Sequence, residues 1–349
     1  MPTFAASQLE TFAAGVLAAL GMPDDHARTT AACLVAANLR GLDSHGVLRL
    51  LQYEQSIAAG EVRADAAVEV VTAQGASALV DAGGGYGYVP TLLAADLAAE
   101  CARRHGVGVA GVRHSHHFGM GASYVERLAG EGLIGLVLTN TGPVMSPPGV
   151  RVPLVGNNPI AVGIPRRAPH PPIVLDMALS QTAFGRIRLA AAEGREIPLG
   201  WAHDRDGQPT TDAGEALAAA LLAPAGGHKG FALAFVVDLL TGALTGSRSG
   251  TRADAHAHPE GGVAHLVLAL SPALFLEPGA YTDAVEGLVA DLMSHDAPGA
   301  PVLLPGDKER ATAAARSAGG IPVSEELLDQ LRDQAERLGV APPVVGSHG

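Results

Sequence analysis

Two cysteines in 349 residues are too few for a disulfide framework. Both, Cys33 and Cys101, sit in Ala/Leu-rich stretches where a free cysteine behaves as a small buried hydrophobe. That usage fits a reducing compartment. Aromatic residues make up only 4% of the chain, so its core must be assembled mainly from Ala, Val and Leu. Basic residues are outnumbered 35 to 23 by acidic ones and are scattered, which removes the electrostatic footprint that a nucleic-acid backbone requires. An acidic protein can still take an anionic ligand through a few cations placed in a cleft. Long apolar runs are missing too. The longest, Phe231 to Leu244, is interrupted by Asp238 and falls short of the roughly 18 uninterrupted apolar residues of a membrane span. The first residues carry no cationic segment, and Glu10 breaks their apolar run, so no cleaved leader is expected. These absences describe a soluble, cytoplasmic protein with neither nucleic acid nor membrane as partner.

What is present is a hydrophobic fraction of 48%, with 44 Gly and 24 Pro. That mixture suits an α/β protein of two or three lobes with many tight turns. Apolar positions recur every three or four residues over Ser7–Leu20 and Asp24–Leu39, the second opened by Pro23-Asp24-Asp25, and a third helix is expected over Val47–Ala59. Strands are expected at Ala78–Asp81, Val107–Val112, Leu133–Leu138, Pro159–Ile164, Ile173–Asp176 and Val263–Leu270. Helices are expected over Thr91–His105, Ala122–Gly130, Lys229–Leu244, Lys308–Ser317 and Ser324–Leu338, the last two packing on the N-terminal helices. Arg248 to Gly262, rich in His, Gly and charge, reads as an exposed loop.

Gly106-Val-Gly-Val-Ala-Gly111 has the letters of a dinucleotide fingerprint, but its glycines end a helix and enter a strand, the reverse of the order that fingerprint needs. Gly83 to Gly87 follows a strand and precedes a helix, as a phosphate loop or a plain glycine turn would. Ser44-His45-Gly46 with Arg49 is more informative. If a helix starts near Gly46, His45 and Arg49 share one face, and a group that titrates near neutral pH stands beside a two-pronged cation. Such a pair can hold a carboxylate and move a proton at the adjacent carbon, although a helix start can also carry an unrelated His and Arg. With an ordinary pKa of about 6.5 the histidine would bend a rate profile between roughly pH 6 and 8. His114, His116 and His117 follow a strand, where α/β active sites gather; they could serve a metal, catalysis or packing. His228-Lys229 opens an apolar helix after Gly226-Gly227, a plausible seat for pyrophosphate or an ordinary exposed loop.

Taken in order, the run Gly41-Leu-Asp-Ser-His-Gly-Val-Leu-Arg49, His117-Phe-Gly119, Gly156-Asn-Asn-Pro159, Leu175-Asp-Met-Ala-Leu-Ser180, Trp201-Ala202, Asp206-Gly207, Pro209 to Asp212, His228-Lys-Gly-Phe231 and Leu304-Pro-Gly306 resembles the type 2 malate/L-lactate dehydrogenases over nearly the whole chain. Relatives of that family include ureidoglycolate, sulfolactate, diketogulonate and piperideine-2-carboxylate oxidoreductases. The resemblance implies an α/β fold with a mixed, non-Rossmann sheet that binds NAD or NADP. It further implies a helical lobe of residues 1–75 joined by 305–349, and a cofactor-binding domain of residues 76–304 with the substrate cleft at the lobe boundary. A homodimer is implied as well, acting on a small carboxylate. Carried over by residue, His45 and His117 become candidates for proton transfer, Ser44 and Arg49 for substrate binding, and Thr141, Asp176, Met177, Ala178, Lys229, Gly306 and Asp307 for cofactor contacts, with no metal. The rival readings are a metal-dependent hydrolase or lyase built on His114, His116 and His117, and a relative that binds ligand without turnover.

Overall fold

The computed structural model describes residues 1–147, 149–253, 260–295 and 301–343. Its helices are α1 (Ala6–Ala19), α2 (Asp24–Leu39), α3 (Arg49–Ala58), α4 (Tyr88–His105), α5 (Ala122–Gly130), α6 (Phe184–Ala192), α7 (Ala213–Ala219), α8 (His228–Asp238), α9 (Ala280–Met293), α10 (Asp307–Gly319) and α11 (Glu325–Leu338). Local chemistry sets several boundaries. Asp24 and Asp25 place negative charge in the first turn of α2, where the helix dipole favours it. The Ser324 side chain accepts the Leu327 N–H to cap α11, and Gly106, at φ +80°, ends α4 in the left-handed conformation.

A seven-stranded mixed sheet runs in the spatial order Glu69–Gln74, Ser77–Asp81, Val107–Ser115, Val263–Leu270, Ile134–Thr139, Ile160–Ile164, Ile173–Met177. Only Ser77–Asp81 and Val107–Ser115 pair in parallel, joined through α4. The late strand Val263–Leu270 enters the middle and pairs antiparallel with both neighbours. The shortage of aromatics is met by close packing. Ala94, Ala95, Ala98, Ala99 and Ala102 of α4 are all buried against the sheet. A Cβ at Gly108 would stand 1.9 Å from the Ala98 carbonyl oxygen, so helix and strand touch backbone to backbone. The glycines of the Gly106–Gly111 run therefore serve a helix cap and this contact.

A second core draws on both chain ends: Phe4, Leu9, Phe12, Leu17, Leu34 and Leu50 pack with Ile321, Leu328 and Leu331. The Thr3–Phe4 segment also pairs with Ile321–Pro322. A third gathers Met145, Leu179, Ile187, Leu222 and Val237.

Four features differ from the sequence-based expectations. Glu69–Gln74, for which no element is expected within the lobe of residues 1–75, is an edge strand; all six residues are exposed, so no inside–outside alternation announces it. The expected single helix Lys229–Leu244 widens into a π turn at Leu239–Ala243, where Gly242 makes room for the Arg248 carbonyl. Helix α9 buries only Val289 and exposes Leu288 and Leu292, so it too lacks a periodic buried face. In the expected exposed loop after Gly246, the described residues turn inward. The Gly250 N–H donates to the buried Asp238 at 2.6 Å, the Arg248 carbonyl accepts from Asn140 at 2.8 Å, and Ala253 is fully buried. Residues 254–259 of that stretch lie outside the described residues. Among the described residues no helix is long and apolar enough to cross a membrane.

Candidate active site

The Asp43–Gly46 segment is a short 3-10 turn, and α3 begins only at Arg49. His45 and Arg49 thus do not lie on one helical face, because Gly46, at φ −91° and ψ −152°, is extended between them. The guanidinium folds back instead: Nε donates to the Ser44 carbonyl at 2.7 Å and Nη1 to Gln52 Oε1 at 2.6 Å. Ser44 Oγ lies 3.0 Å from His45 Nδ1. The turn is clamped from outside. Asn38 Oδ1 accepts the Val47 N–H at 2.8 Å while its amide donates to Asp43 at 2.7 Å. Arg316, on the C-terminal α10, holds both Asp43 carboxylate oxygens at 2.7 and 3.0 Å. Asn38 packs so tightly under the turn that a Cβ at Gly46 would stand 2.2 Å from its Oδ1.

The two histidines meet, with His45 and His117 ring centroids 5.4 Å apart and the rings stacked. His117 Nδ1 lies 2.7 Å from the Tyr53 hydroxyl, which lies 2.8 Å from that of Tyr88. Burial, and then the nearby Arg49, lower His45 to about 4; the same two causes, with His45 and His265, hold His117 well below 6.5. The expected bend between pH 6 and 8 is therefore displaced downward in the free protein. Sequence singles out neither tyrosine: Tyr53 sits in a helical pattern that reads as core, and Tyr88 lies between the glycine cluster and the expected start of a helix at Thr91, which the structure begins at Tyr88 itself.

The other histidines go elsewhere. His114 Nδ1 pairs with Asp81 at 2.9 Å and His116 is buried in the interior. His265, unremarked in the sequence, is fully buried between Thr139 Oγ1 at 2.7 Å and Ser115 Oγ at 2.9 Å, stacked on Phe118. Among the described residues no three His, Cys, Asp or Glu side chains form a group able to hold a metal ion. The Gly83–Gly87 cluster is a turn whose amides are already used. Those of Gly83, Gly84, Gly85 and Gly87 donate to Asp81 Oδ1, His114 O, Ala82 O and His117 O. These four are therefore not left for a phosphate.

The residues considered for cofactor contacts fall into two neighbouring groups. Asp176 and Gly306 line a groove of about 490 Å³ with Arg40 and Lys308. Asp176 Oδ2 accepts the Ala122 N–H at 2.9 Å; desolvation pushes its carboxyl up to about 6 against the pull of that amide and of Arg40. Asp307 does not offer its carboxylate there: one oxygen accepts the Leu304 N–H at 2.7 Å and the other Arg310. The second group forms around Asn157 and Asn158. Asn158 Oδ1 accepts the Thr141 N–H at 3.0 Å, its amide donates to Ala234 O of α8 at 2.7 Å, and the Asn157 carbonyl accepts the Leu179 N–H at 2.7 Å. With the Ala225 N–H donating to the Leu179 carbonyl at 2.9 Å, this brings Thr141, the Met177–Ala178 segment and the approach to α8, which carries exposed Lys229, into one neighbourhood. A cavity of about 480 Å³ lined by Gln181, Trp201, His203, Gly226 and Gly227 adjoins it. The chain then runs to α6, where a Cβ at Gly185 would stand 3.8 Å from the Ser44 Cβ.

The malate/L-lactate dehydrogenase family model matches residues 4–332. The (2R)-3-sulfolactate dehydrogenase (NADP(+)) of Chromohalobacter salexigens is 39% identical over 331 residues, covering 94% of this chain and 96% of that one. The malate/(S)-sulfolactate dehydrogenase of Methanothermus fervidus is 34% identical over 327 residues, covering 93% and 95%. The solved sulfolactate dehydrogenase from Methanocaldococcus jannaschii superposes with a TM-score of 0.88 at 32% identity, covering 97% of this chain and 98% of that one. The chain belongs to the malate/L-lactate dehydrogenase family, whose members are nicotinamide-dependent oxidoreductases.

Proposed function

We propose that the protein transfers a hydride between NAD or NADP and C2 of a small 2-hydroxy acid or 2-oxoacid of the malate, lactate or sulfolactate kind, or of a related 2-imino acid. The observation that carries this reading is the meeting of His45 and His117 at 5.4 Å beside Arg49, at the mouth of a turn held from three sides. Arg49 supplies the cation for the substrate carboxylate, and its Nη2 has no hydrogen-bond partner among the described residues. Ser44 is exposed beside it and fixes His45 Nδ1, which leaves Nε2 to exchange a proton with the C2 oxygen.

The nicotinamide cofactor, when bound, carries the hydride. The groove at Asp176 and Gly306 is of a size for part of such a molecule, and the Asp176 carboxylate, which accepts the Ala122 and Gly121 amides, has further lone pairs to accept a sugar hydroxyl. Met177 and Ala178 follow Asp176 in the chain, Thr141 joins them through Asn157 and Asn158, and Gly226 and Gly227, which line the neighbouring cavity, lead into the α8 N-terminus, where Lys229 favours an anion. Gly306 supports the groove through its backbone, and Asp307 holds the turn that carries it.

A homodimer agrees with the surface of α8 and its π turn, where Leu233, Phe235, Val236, Leu239, Leu240 and Leu244 all stay exposed. The names of the relatives direct the substrate search to anionic 2-oxoacids. The test is a panel of 2-oxoacids, cyclic imino acids and ureidoglycolate assayed with both cofactors by nicotinamide absorbance. Turnover of at least one is expected; a folded protein that turns over none refutes the reading.

A further inference from the structure

We propose that Tyr53 is a positioning residue that holds His117 as one tautomer, with Nδ1 accepting and Nε2 carrying the proton. His117 would then give a hydrogen bond to the substrate's C2 oxygen and leave proton transfer to His45. The second half rests on the hydride-transfer reading above; the first does not.

The argument is one of counting donors. Tyr53 and Tyr88 are 3% and 1% exposed. Their hydroxyls and His117 Nδ1 form a chain of three polar atoms, with Tyr53 in the middle at 2.7 and 2.8 Å. The His117 Nδ1 atom can either donate to Tyr53 or accept from it. If His117 Nδ1–H donates to Tyr53, one buried hydroxyl hydrogen has no acceptor among the described residues: that of Tyr88 when Tyr53 donates on to it, or that of Tyr53 when Tyr88 donates to it as well. In the other direction Tyr88 donates to Tyr53, Tyr53 donates to Nδ1, and every hydrogen in the chain has an acceptor. Leaving a buried donor unpaired costs more than any choice of tautomer in an imidazole, so the second direction holds.

A chain of this sense makes each link a better donor to the next. It also suits a histidine that stays neutral, because an imidazolium would need to donate from Nδ1. Burial and the charge of Arg49 keep His117 neutral in the same way. Tyr88 is held from the far side: a Cβ at Gly119 would stand 2.5 Å from its Cε1, and Gly119, at φ +79°, carries the chain away from His117. Tyr53 is fixed by its ring contact with Tyr86, centroids 3.9 Å apart. Phenylalanine can keep that contact, so Tyr53→Phe removes the hydroxyl with little disturbance to the packing.

The experiment is proton–nitrogen correlation NMR of the full chain labelled at histidine nitrogens, at neutral pH and without ligand, with the His117 signals assigned by their loss in His117→Gln. Wild type is expected to show His117 protonated at Nε2 alone, Tyr53→Phe a mixture of both tautomers, and Tyr88→Phe the wild-type pattern. An Nδ1–H tautomer or an imidazolium in wild type overturns the assignment. So does a Tyr53→Phe spectrum equal to wild type. This readout needs no substrate, so it stands even if the activity panel fails. With any 2-oxoacid that turns over, Tyr53→Phe should lower kcat about tenfold at nearly constant KM. A raised KM at constant kcat would instead place Tyr53 in substrate binding and overturn the positioning role.

Discussion

Arg316 reaches both carboxylate oxygens of Asp43, at 2.7 and 3.0 Å, across 273 residues of chain. A residue of α10 thus holds the turn that carries Ser44 and His45. Two-pronged geometry matters here, because a single contact would leave the turn free to rotate about it. Arg316→Ala should cost about 1–2 kcal/mol of stability and about tenfold in kcat/KM. Arg316→Lys should fall between, since it keeps the charge and loses the fork. Urea unfolding and steady-state kinetics on the same preparations check both numbers. An unchanged kcat/KM in Arg316→Ala would show that the clamp does not bear on the site.

The inner support of the same turn makes a sharper prediction. A methyl group at Gly46 would overlap Asn38 Oδ1, Cγ and Nδ2, all within 2.4 Å, and would expel the amide that bonds Val47 and Asp43. Gly46→Ala should therefore destabilise by about 2–3 kcal/mol. In Asn38→Ala the obstacle is gone, so the double substitution should cost clearly less than the sum of the two single ones. Additive losses in a denaturation cycle would contradict the contact.

Much of this was legible in the sequence, and the residues show why the rest was not. The Asp24–Leu39 helix and the Val263–Leu270 strand have the bounds that periodicity gives them. The place of Val263–Leu270 between two strands more than a hundred residues earlier in the chain is a non-local choice that no local period encodes. In the site, His45 and Arg49 stood out because a titratable group and a two-pronged cation stand four residues apart at a helix start. Tyr53 did not, since a buried tyrosine at helical spacing looks like core until its hydroxyl is seen to have a partner, and Tyr88 did not, since it follows a glycine turn three residues before the helix that periodicity gives. Arg316 reads as a solvated residue of a charged helix, and only the fold reveals Asp43 beneath it.

Three lowered histidines give stability a pH dependence of definite sign. Burial holds His265 to about 3 and His45 to about 4, with His117 also well below its ordinary value. Unfolding returns each to about 6.5. Between those limits the unfolded chain binds protons that the folded chain refuses, so stability is lost as pH falls from about 6.5 toward 4. Asp176, raised to about 6, and Asp238, also raised, work the other way, because the folded state holds their protons as pH falls. The histidines outnumber them, and the net uptake on unfolding near pH 5 should be roughly one to two protons, a loss of about 1–3 kcal/mol per pH unit. Asp176→Asn should steepen the fall. Unfolding free energies that stay level from pH 6.5 to about 5 would contradict these shifts.

The final prediction uses Arg49 to separate charge from geometry at His45. In the free protein His45 is held to about 4 by burial and then by the Arg49 charge. As the base in hydroxy-acid oxidation it must be neutral, so kcat/KM should stay flat from neutral pH down to about 5 and bend only below that. Short assays after a pH jump outrun the loss of stability in the same range. Arg49→Gln removes the charge, and the bend should move upward toward the ordinary value of about 6.5 while KM rises. Arg49→Lys keeps a charge near the ring but gives up the Nε bond to the Ser44 carbonyl and the two-pronged face for a carboxylate, so KM should rise while the bend stays low. His45→Asn should lower kcat by about 10²–10⁴ and abolish the bend. His117→Asn should cost less and leave the bend in place, because its Nε2–H only supports the oxygen that changes charge. If His117→Asn abolishes the bend and His45→Asn keeps it, the two histidines exchange roles, and the Arg49 charge must then act on His117, which it also lowers.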